Sequence, residues 1–366
     1  MKIFDETIIM EHCLRLALKG AGKVNPNPMV GCIIVRKGKI LGEGFHAKFG
    51  GSHAEIVALK RAGKKAKGAA LYVSLEPCAH FGKTPPCTDA IIQAGISQVV
   101  IASKDPNPLV RGKGIQRLRA AGIRVKVGLL QKEAALLNEK FFKFMETGLP
   151  FVGIKLAQTL DGRIADVSGK SKWITSGTAR KEVHRLRSDF DAVLVGAHTV
   201  LKDNPELTVR LVKGRNPVRV VVDGRLSLPA SRIIFNTSAA PTWLLTSAKA
   251  VKENIRKVQK LVLQGVRVLP VSPAYSINAE IIVRTLAAES ISSVLIEGGA
   301  CTVERFINRF LADKLFLLVA PKILGGGLNG FDFKTPQPLH KPIHLMTEKV
   351  SIIGNDLLIE ARFIYG

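Results

Sequence analysis

The sequence predicts an α/β protein built as two domains. Three observations carry this. Its 366 residues exceed what one ordinary hydrophobic core holds. Strand-like segments alternate with segments of helical spacing along the chain, which allows right-handed crossovers and a largely parallel sheet. Hydrophobic residues make up 46% and charged residues 23%, values of a packed globular chain rather than a disordered one.

The elements follow in order. Residues 5–20 form a helix with apolar surface from Leu14, Leu16, Ala17 and Leu18. The NPNP string (25–28) is a loop, since proline excludes regular structure and restrains its predecessor. Residues 30–45 carry two apolar runs around Arg36-Lys37-Gly38-Lys39 and predict a hairpin. Then come a helix (53–62), a strand (69–75), a helix stopped by Gly95 (88–95), a strand (98–103), a helix (114–122) and a strand (124–128). One further helix (132–148) leads to Pro150, which sets a domain boundary near 149 and domains of 1–149 and 150–366. The second domain repeats the alternation. Its strands are 151–158, 191–196, 218–223, 242–247, 266–271, 292–299 and 314–321, and its helices 178–188 and 301–312.

Composition narrows the function classes. No apolar run is long enough to cross a bilayer. Acids interrupt the apolar positions of the first 20 residues, which argues against a signal peptide and for the cytoplasm. Five cysteines in such a chain do not suggest a disulfide framework. Lys and Arg outnumber Asp and Glu by 54 to 29, a formal charge of +25. Nucleic acid is the first partner to weigh. The basic residues are spread over both halves, so a phosphorylated small substrate or a basic proteome accounts for them equally well.

One constellation carries chemistry. His53-Ala54-Glu55, Pro77-Cys78 and Cys87 reproduce the order of residues in zinc-dependent base deaminases. Two thiolates and an imidazole suit zinc and leave a fourth position for water. Zinc lowers the pKa of that water, and a carboxylate beside it can move protons to the leaving amine. Glu55, two residues from the ligand His53, is that carboxylate. Each piece alone is more often surface or packing; their joint order on one helix–strand–helix frame is not. Eight residues separate Cys78 from Cys87 where the general signature has two. Gly82, Pro85 and Pro86 are what a looped-out insertion would contain. His80 within it is a rival ligand, though a substrate contact or solvent suits it better. Asn27 is a candidate substrate contact, against a plain turn asparagine.

In the second half, Gly325, Gly327 and Gly330 match a dinucleotide fingerprint only in letters. FDFKTPQP follows, which cannot be the required helix, so the segment is expected to be a flexible loop. A better anion site is Gly298-Gly299, where a strand runs into a helix start near Cys301-Thr302 and free N–H groups favour phosphate. The competing reading is a tight left-handed turn with no ligand. Asp161, in LDGR, suits a turn at least as well as a proton donor. Asp223 ends a strand, where ligands gather in α/β sheets.

The string LEPCAHFGKTPPC (75–87), with NPNPMVG (25–31), GSHAE (51–55) and DPNPLVRGKG (105–114), closely resembles the bifunctional deaminase–reductase family of riboflavin biosynthesis. The resemblance continues through KLAQTLDGRIA (155–165), WITS (173–176), TVLKDNPELTVR (199–210), EGGA (297–300) and PKILGG (321–326). It implies a cytidine-deaminase-like three-layer domain followed by a dihydrofolate-reductase-like domain. It implies zinc on His53, Cys78 and Cys87, and deamination of 2,5-diamino-6-(5-phosphoribosylamino)pyrimidin-4(3H)-one. Reduction of the ribosyl group to ribityl with NADPH would follow. The resemblance assigns Ala157, Trp173, Thr199, Asp203, Asp223 and the run Gly298, Gly299, Ala300, Cys301, Thr302 and Val303 to the cofactor. It assigns Ser171, Arg187, Leu207, Arg210 and Glu297 to the substrate; read alone, Arg187 would be a solvated helix face and Trp173 packing. Lys83, Gln158 and His198 depart from the family pattern and bear on fine positioning. The expected partners are a small phosphorylated pyrimidine and a possible second copy, with neither nucleic acid nor membrane. Rival readings are a nucleic-acid base deaminase with a fused binding domain, a zinc-stabilised scaffold, and an enzyme with one inactive domain.

Overall fold

The chain separates into two compact units, Met1–Gly148 and Leu149–Gly366. The structure is a computed structural model and describes residues 5–81, 85–108, 110–333 and 336–365.

The first unit runs α1 (Glu6–Leu18), β1 (Gly31–Arg36), β2 (Lys39–Phe45), α2 (Ala54–Ala62), β3 (Ala70–Leu75), α3 (Cys87–Gln93), β4 (Gln98–Ser103), α4 (Lys113–Ala120), β5 (Arg124–Val127), α5 (Gln131–Leu137) and α6 (Glu139–Thr147). Among the described residues its strands form one sheet in the order β2-β1-β3-β4-β5. The β1 strand is antiparallel to both neighbours, and β3, β4 and β5 are parallel. The hairpin turns at Lys37-Gly38, both at positive φ (49° and 75°), as a two-residue turn matched to strand twist requires. Alternate strand residues feed two cores. Ile34, Leu71, Val73 and Ile101 pack with α2, α3 and α4, while Ile33, Tyr72 and Val100 pack with α1 and α5. That is a three-layer sandwich.

The expected single helix over 132–148 is two, α5 and α6, broken at Asn138. Asn138 is buried and turns its carboxamide on Met29, accepting from its N–H (2.8 Å) and donating to its carbonyl (2.9 Å). A side chain spent on a distant backbone replaces helix continuity, and periodicity does not register it.

The second unit runs β6 (Phe151–Thr159), β7 (Arg163–Ala165), α7 (Gly177–Asp189), β8 (Ala192–Gly196), α8 (Ala197–Asp203), β9 (Val218–Val222), β10 (Thr242–Ser247), α9 (Ala248–Glu253), α10 (Ile255–Leu263), β11 (Arg267–Ser272), α11 (Ala279–Ala288), β12 (Ser293–Ile296), α12 (Ala300–Ile307), β13 (Lys314–Ala320), β14 (Leu328–Asn329), β15 (His344–Ile353) and β16 (Asp356–Ile364). Its main sheet has the order β11-β10-β9-β8-β12-β6-β13-β16-β15 among the described residues. The first seven strands are parallel, and the last two add an antiparallel edge. The central strands are buried on both faces: Ala192 and Leu194 point into one core, Val193 and Val195 into another. Parallel strands covered on both sides read as continuous apolar runs, which is how the sequence shows them.

The glycine segment 325–330 is not a free loop. Leu328 and Asn329 pair with Ala165 and Arg163 in a two-stranded ribbon. Gly327, at φ 120°, passes so close that a Cβ there would sit 2.1 Å from the Ala165 carbonyl oxygen.

Candidate active sites

In the first unit the chemistry collects where helix N-termini meet strand ends. His53 is the N-cap of α2, with extended backbone, and its imidazole makes no capping bond. It turns to the thiols instead. Its Nδ1 lies 3.2 Å from Cys87 Sγ and 3.7 Å from Cys78 Sγ. Cys87 is the first residue of α3, and its N–H donates to Cys78 Sγ at 3.3 Å. The ligand atoms of His53, Cys78 and Cys87 all lie within 4.8 Å of one another. Ligands on a tetrahedral zinc stand about 3.5–4 Å apart, so this donor set fits the ion in chemistry and spacing. His80 is not part of the group; its charge acts on Asp105. Gly82, Lys83 and Thr84, within the insertion, lie outside the described residues.

Glu55 is buried in the first turn of α2. Burial first, then the negative charge of Cys78, pushes its carboxyl up to about 7. The thiols share a proton: a hydrogen bond from Cys87 holds Cys78 down at about 4, and Cys87 is pushed up in turn. Asn27 lies close by, its Nδ2 3.3 Å from His46 Nε2. The His46 ring meets His53 edge-on at 5.6 Å, and its Nδ1 sits 3.1 Å from the Ser52 carbonyl oxygen.

Sequence reasoning missed His46, and it missed Glu76. The buried Glu76 carboxylate accepts from the N–H groups of Asp105 (3.2 Å), Gly112 (3.0 Å), Gly114 (3.0 Å) and Ile115 (3.2 Å). It ties the strand that carries Cys78 to the start of α4. Gly114 permits the approach, because a Cβ there would meet the Pro77 carbonyl oxygen at 2.1 Å.

In the second unit the adjacent strands β8 and β12 end beside each other; β8 runs straight into α8, and β12 reaches α12 through Glu297, Gly298 and Gly299. Gly299 caps α12 with φ −71° and ψ 174°, an extended residue and not a left-handed turn. Its N–H donates to Thr199 Oγ1 at 3.3 Å, which brings Thr199 onto the glycine pair. Gly298 is needed for contact: a Cβ there would lie 2.6 Å from the Thr302 side chain. Ala300 and Cys301 open the helix, and Cys301 is exposed. Val303 differs from expectation. Its side chain is fully buried in the core and its N–H already donates to the Gly299 carbonyl, so it offers a ligand nothing. The Thr302 N–H is bound to the same carbonyl. Ser171 and Asp203 meet, Oγ to Oδ1 at 3.2 Å. Trp173 is exposed with Arg180 over its ring at 4.3 Å, so it is not core packing. Ala157 lies half-buried on β6.

Asp223 departs from its expected role. It is buried, and its carboxylate closes its own turn, accepting from Leu228 N–H (2.8 Å) and Ser227 Oγ (3.1 Å). Leu207 also departs: at φ 53° its side chain is turned into the core, leaving only backbone for a substrate. Arg187 is not a solvated face. Its guanidinium grips Glu297 in a fork, Nε to Oε1 at 2.5 Å and Nη2 to Oε2 at 2.9 Å, and donates to the Thr208 carbonyl at 3.1 Å. Arg210, half-exposed, is the freer cation, 3.3 Å from Glu206. Asp161 is a clamp: its carboxylate accepts from Thr159 Oγ1 (2.5 Å), Leu324 N–H (3.2 Å) and Gly325 N–H (2.8 Å). Gln158 lies against Gly330, and His198 is exposed on α8.

Comparison with known proteins fits both halves. Residues 5–103 match the cytidine and deoxycytidylate deaminase zinc-binding region, and residues 150–359 match the RibD C-terminal domain. The riboflavin biosynthesis protein RibD of Aquifex aeolicus (strain VF5) is 46% identical over 351 residues, 96% of each chain. The chain belongs to the RibD family. A RibD structure from Acinetobacter baumannii superimposes with a TM-score of 0.88 at 36% identity, covering 98% of both chains. A Thermotoga maritima structure, described as a diaminohydroxyphosphoribosylaminopyrimidine deaminase/5-amino-6-(5-phosphoribosylamino)uracil reductase, does so with 0.86 at 42% identity over 98% of both. RibD membership makes this a bifunctional deaminase and reductase of riboflavin biosynthesis. No helix among the described residues is long and apolar enough to cross a membrane.

Two further residues of this RibD chain were invisible to motif reading. Lys155, on β6, faces Glu297 and Arg187, and burial outweighs Glu297 to hold its ammonium below the usual range. Arg219, wholly buried on β9, donates to the carbonyls of Glu206 (3.2 Å), Asn236 (2.7 Å) and Ala240 (2.7 Å). A charged residue inside an apolar strand is the only signal the sequence offers for either.

Proposed function

We propose that the first unit removes the carbon-2 amine of 2,5-diamino-6-(5-phosphoribosylamino)pyrimidin-4(3H)-one as ammonia, and that the second reduces the ribosyl group of the product to ribityl with NADPH. The observation that supports it most is the trio His53, Cys78 and Cys87 with buried Glu55 beside it. His53 Nδ1 and the two thiolates would hold zinc. Zinc, when bound, supplies a Lewis acid that makes water nucleophilic near neutral pH. Glu55 is built for the proton traffic: a carboxyl poised near neutrality accepts a proton from the attacking water and returns it to the departing amine. Asn27 would hold the pyrimidine, since its partner His46 packs on His53.

In the second unit, the cofactor would lie over the starts of α8 and α12, on Thr199, Gly298, Gly299, Ala300 and Cys301, with Trp173 and the Ser171–Asp203 pair at its border. NADPH supplies the hydride; the chain supplies orientation. Arg210 would take the substrate phosphate, and the Arg187–Glu297 fork, with Lys155 beside it, would fix the ribosyl hydroxyls. The test is ammonia release, with the diaminopyrimidine and with tRNA as substrates. Release from the pyrimidine alone supports this reading, and release from tRNA alone overturns it in favour of a nucleic-acid deaminase.

A further inference from the structure

Arg210 belongs to residues 204–211, a stretch without regular structure. Its guanidinium Nη1 lies 3.3 Å from Glu206 Oε2 and 3.4 Å from Thr208 Oγ1, both groups of the same stretch. Its backbone is instead held from outside. Arg219 donates to the Glu206 carbonyl, and Arg187 to the Thr208 carbonyl. Asn216 accepts from the Val209 N–H at 2.6 Å. The N–H groups of Arg210 and Leu211 both point at one atom, His184 Nδ1, at 3.0 and 3.4 Å.

His184 stands on α7 one turn before Arg187, so both side chains leave the same helix face. It is buried, with only 4% of its surface exposed. To accept two N–H bonds, Nδ1 must carry no proton, which fixes the neutral ring with hydrogen on Nε2. Its surroundings favour that form. Burial, followed by the positive charges of Arg187 and Arg210, holds the imidazole at about 4, against opposing pulls from Glu297 and Glu206.

We propose that His184 is a positioning residue of the reductase unit: its Nδ1 fixes the backbone at Arg210–Leu211 and so aims Arg210 at the phosphate of the substrate. The assignment rests on the reading of Arg210 as the phosphate contact. Polarity and size alone do not satisfy it, because the acceptor must occupy one point in space. Asparagine can place its oxygen at the position of Nδ1. Glutamine, one methylene longer, places it near Nε2.

The experiment compares His184→Asn with His184→Gln in the full chain, measuring reduction of the deaminated phosphoribosylaminouracil by NADPH. Expected for the Gln variant is a KM for the uracil raised about tenfold, the scale of one part-buried hydrogen bond left unmade. Its KM for NADPH stays unchanged. The Asn variant returns the uracil KM close to wild type. With the dephosphorylated uracil, the two variants converge. Equal KM values for the two variants on the phosphorylated uracil overturn the proposal, as does a parallel rise in the KM for NADPH. Hydrogen exchange at the Arg210 and Leu211 amides separates the backbone anchor from the phosphate contact. If wild type reduces no uracil, the functional reading fails. Faster exchange in the Gln than the Asn variant still supports the anchor, and equal exchange overturns it.

Discussion

Glu55 and the residues around His53 divide the work of the first unit between binding and proton transfer. Glu55 hydrogen-bonds Cys87 but is not one of the three grouped ligands, so Glu55→Gln should keep zinc while kcat for ammonia release falls by about 10²–10⁴-fold, the usual range for loss of a general acid–base. Metal analysis of the same preparation checks the first half, and intact activity would favour a zinc-stabilised scaffold instead. Cys87→Ser should behave differently and lose zinc, because it removes a soft ligand. In the second unit, Arg187→Ala leaves Glu297 buried with its fork partner gone. Breaking a buried pair in this way costs about 3–5 kcal/mol. Thermal denaturation should show that loss, and Arg210→Ala, at a half-exposed site, should not. At this scale the sequence was readable where chemistry demands a fixed residue type, as at His53, Glu55, Cys78 and Cys87. It was unreadable where a side chain serves the backbone, as with Asp223, whose position at a strand end suggested a ligand and whose carboxylate closes a turn.

Among the elements, the contacts that matter are carboxylates spent on N–H groups. Glu76 joins the end of β3 to the start of α4 through three such bonds and to Asp105, just past β4, through a fourth. Glu76→Ala leaves those donors without their acceptor and should lower the Tm of the first unit, by an amount matching about 1–3 kcal/mol or more. Asp161 holds residues 324 and 325 in the same way, and its carboxyl sits at about 2, chiefly through the Thr159 hydroxyl. The folded pKa is depressed, so the clamp is fully engaged above the ordinary carboxylate range of about 4 and lets go as pH falls through about 2. Protection of the Gly325 amide from exchange should follow that course; loss of protection already at neutral pH would contradict it. Periodicity located most strands and helices of both units, since buried parallel strands and amphipathic helices repeat. It did not show the antiparallel edge. Residues 344–350 are exposed throughout, so β15 has no alternation to read, and the break at Asn138 comes from a partner 109 residues away.

For the whole molecule, the two units carry two chemistries on one substrate in sequence. The family and its two halves were legible because the motifs sit in both parts of the chain; Leu207 and Val303, which the core claims, show where that legibility stopped. We propose that deamination at His53, Cys78, Cys87 and Glu55 precedes reduction and is independent of the reductase chemistry. The most direct measurement is NADPH oxidation by Glu55→Gln, given the diaminopyrimidine in one reaction and the deaminated uracil in another. Wild-type rates are expected on the uracil and none above background on the diaminopyrimidine. Equal oxidation on both, or loss of both, would contradict it.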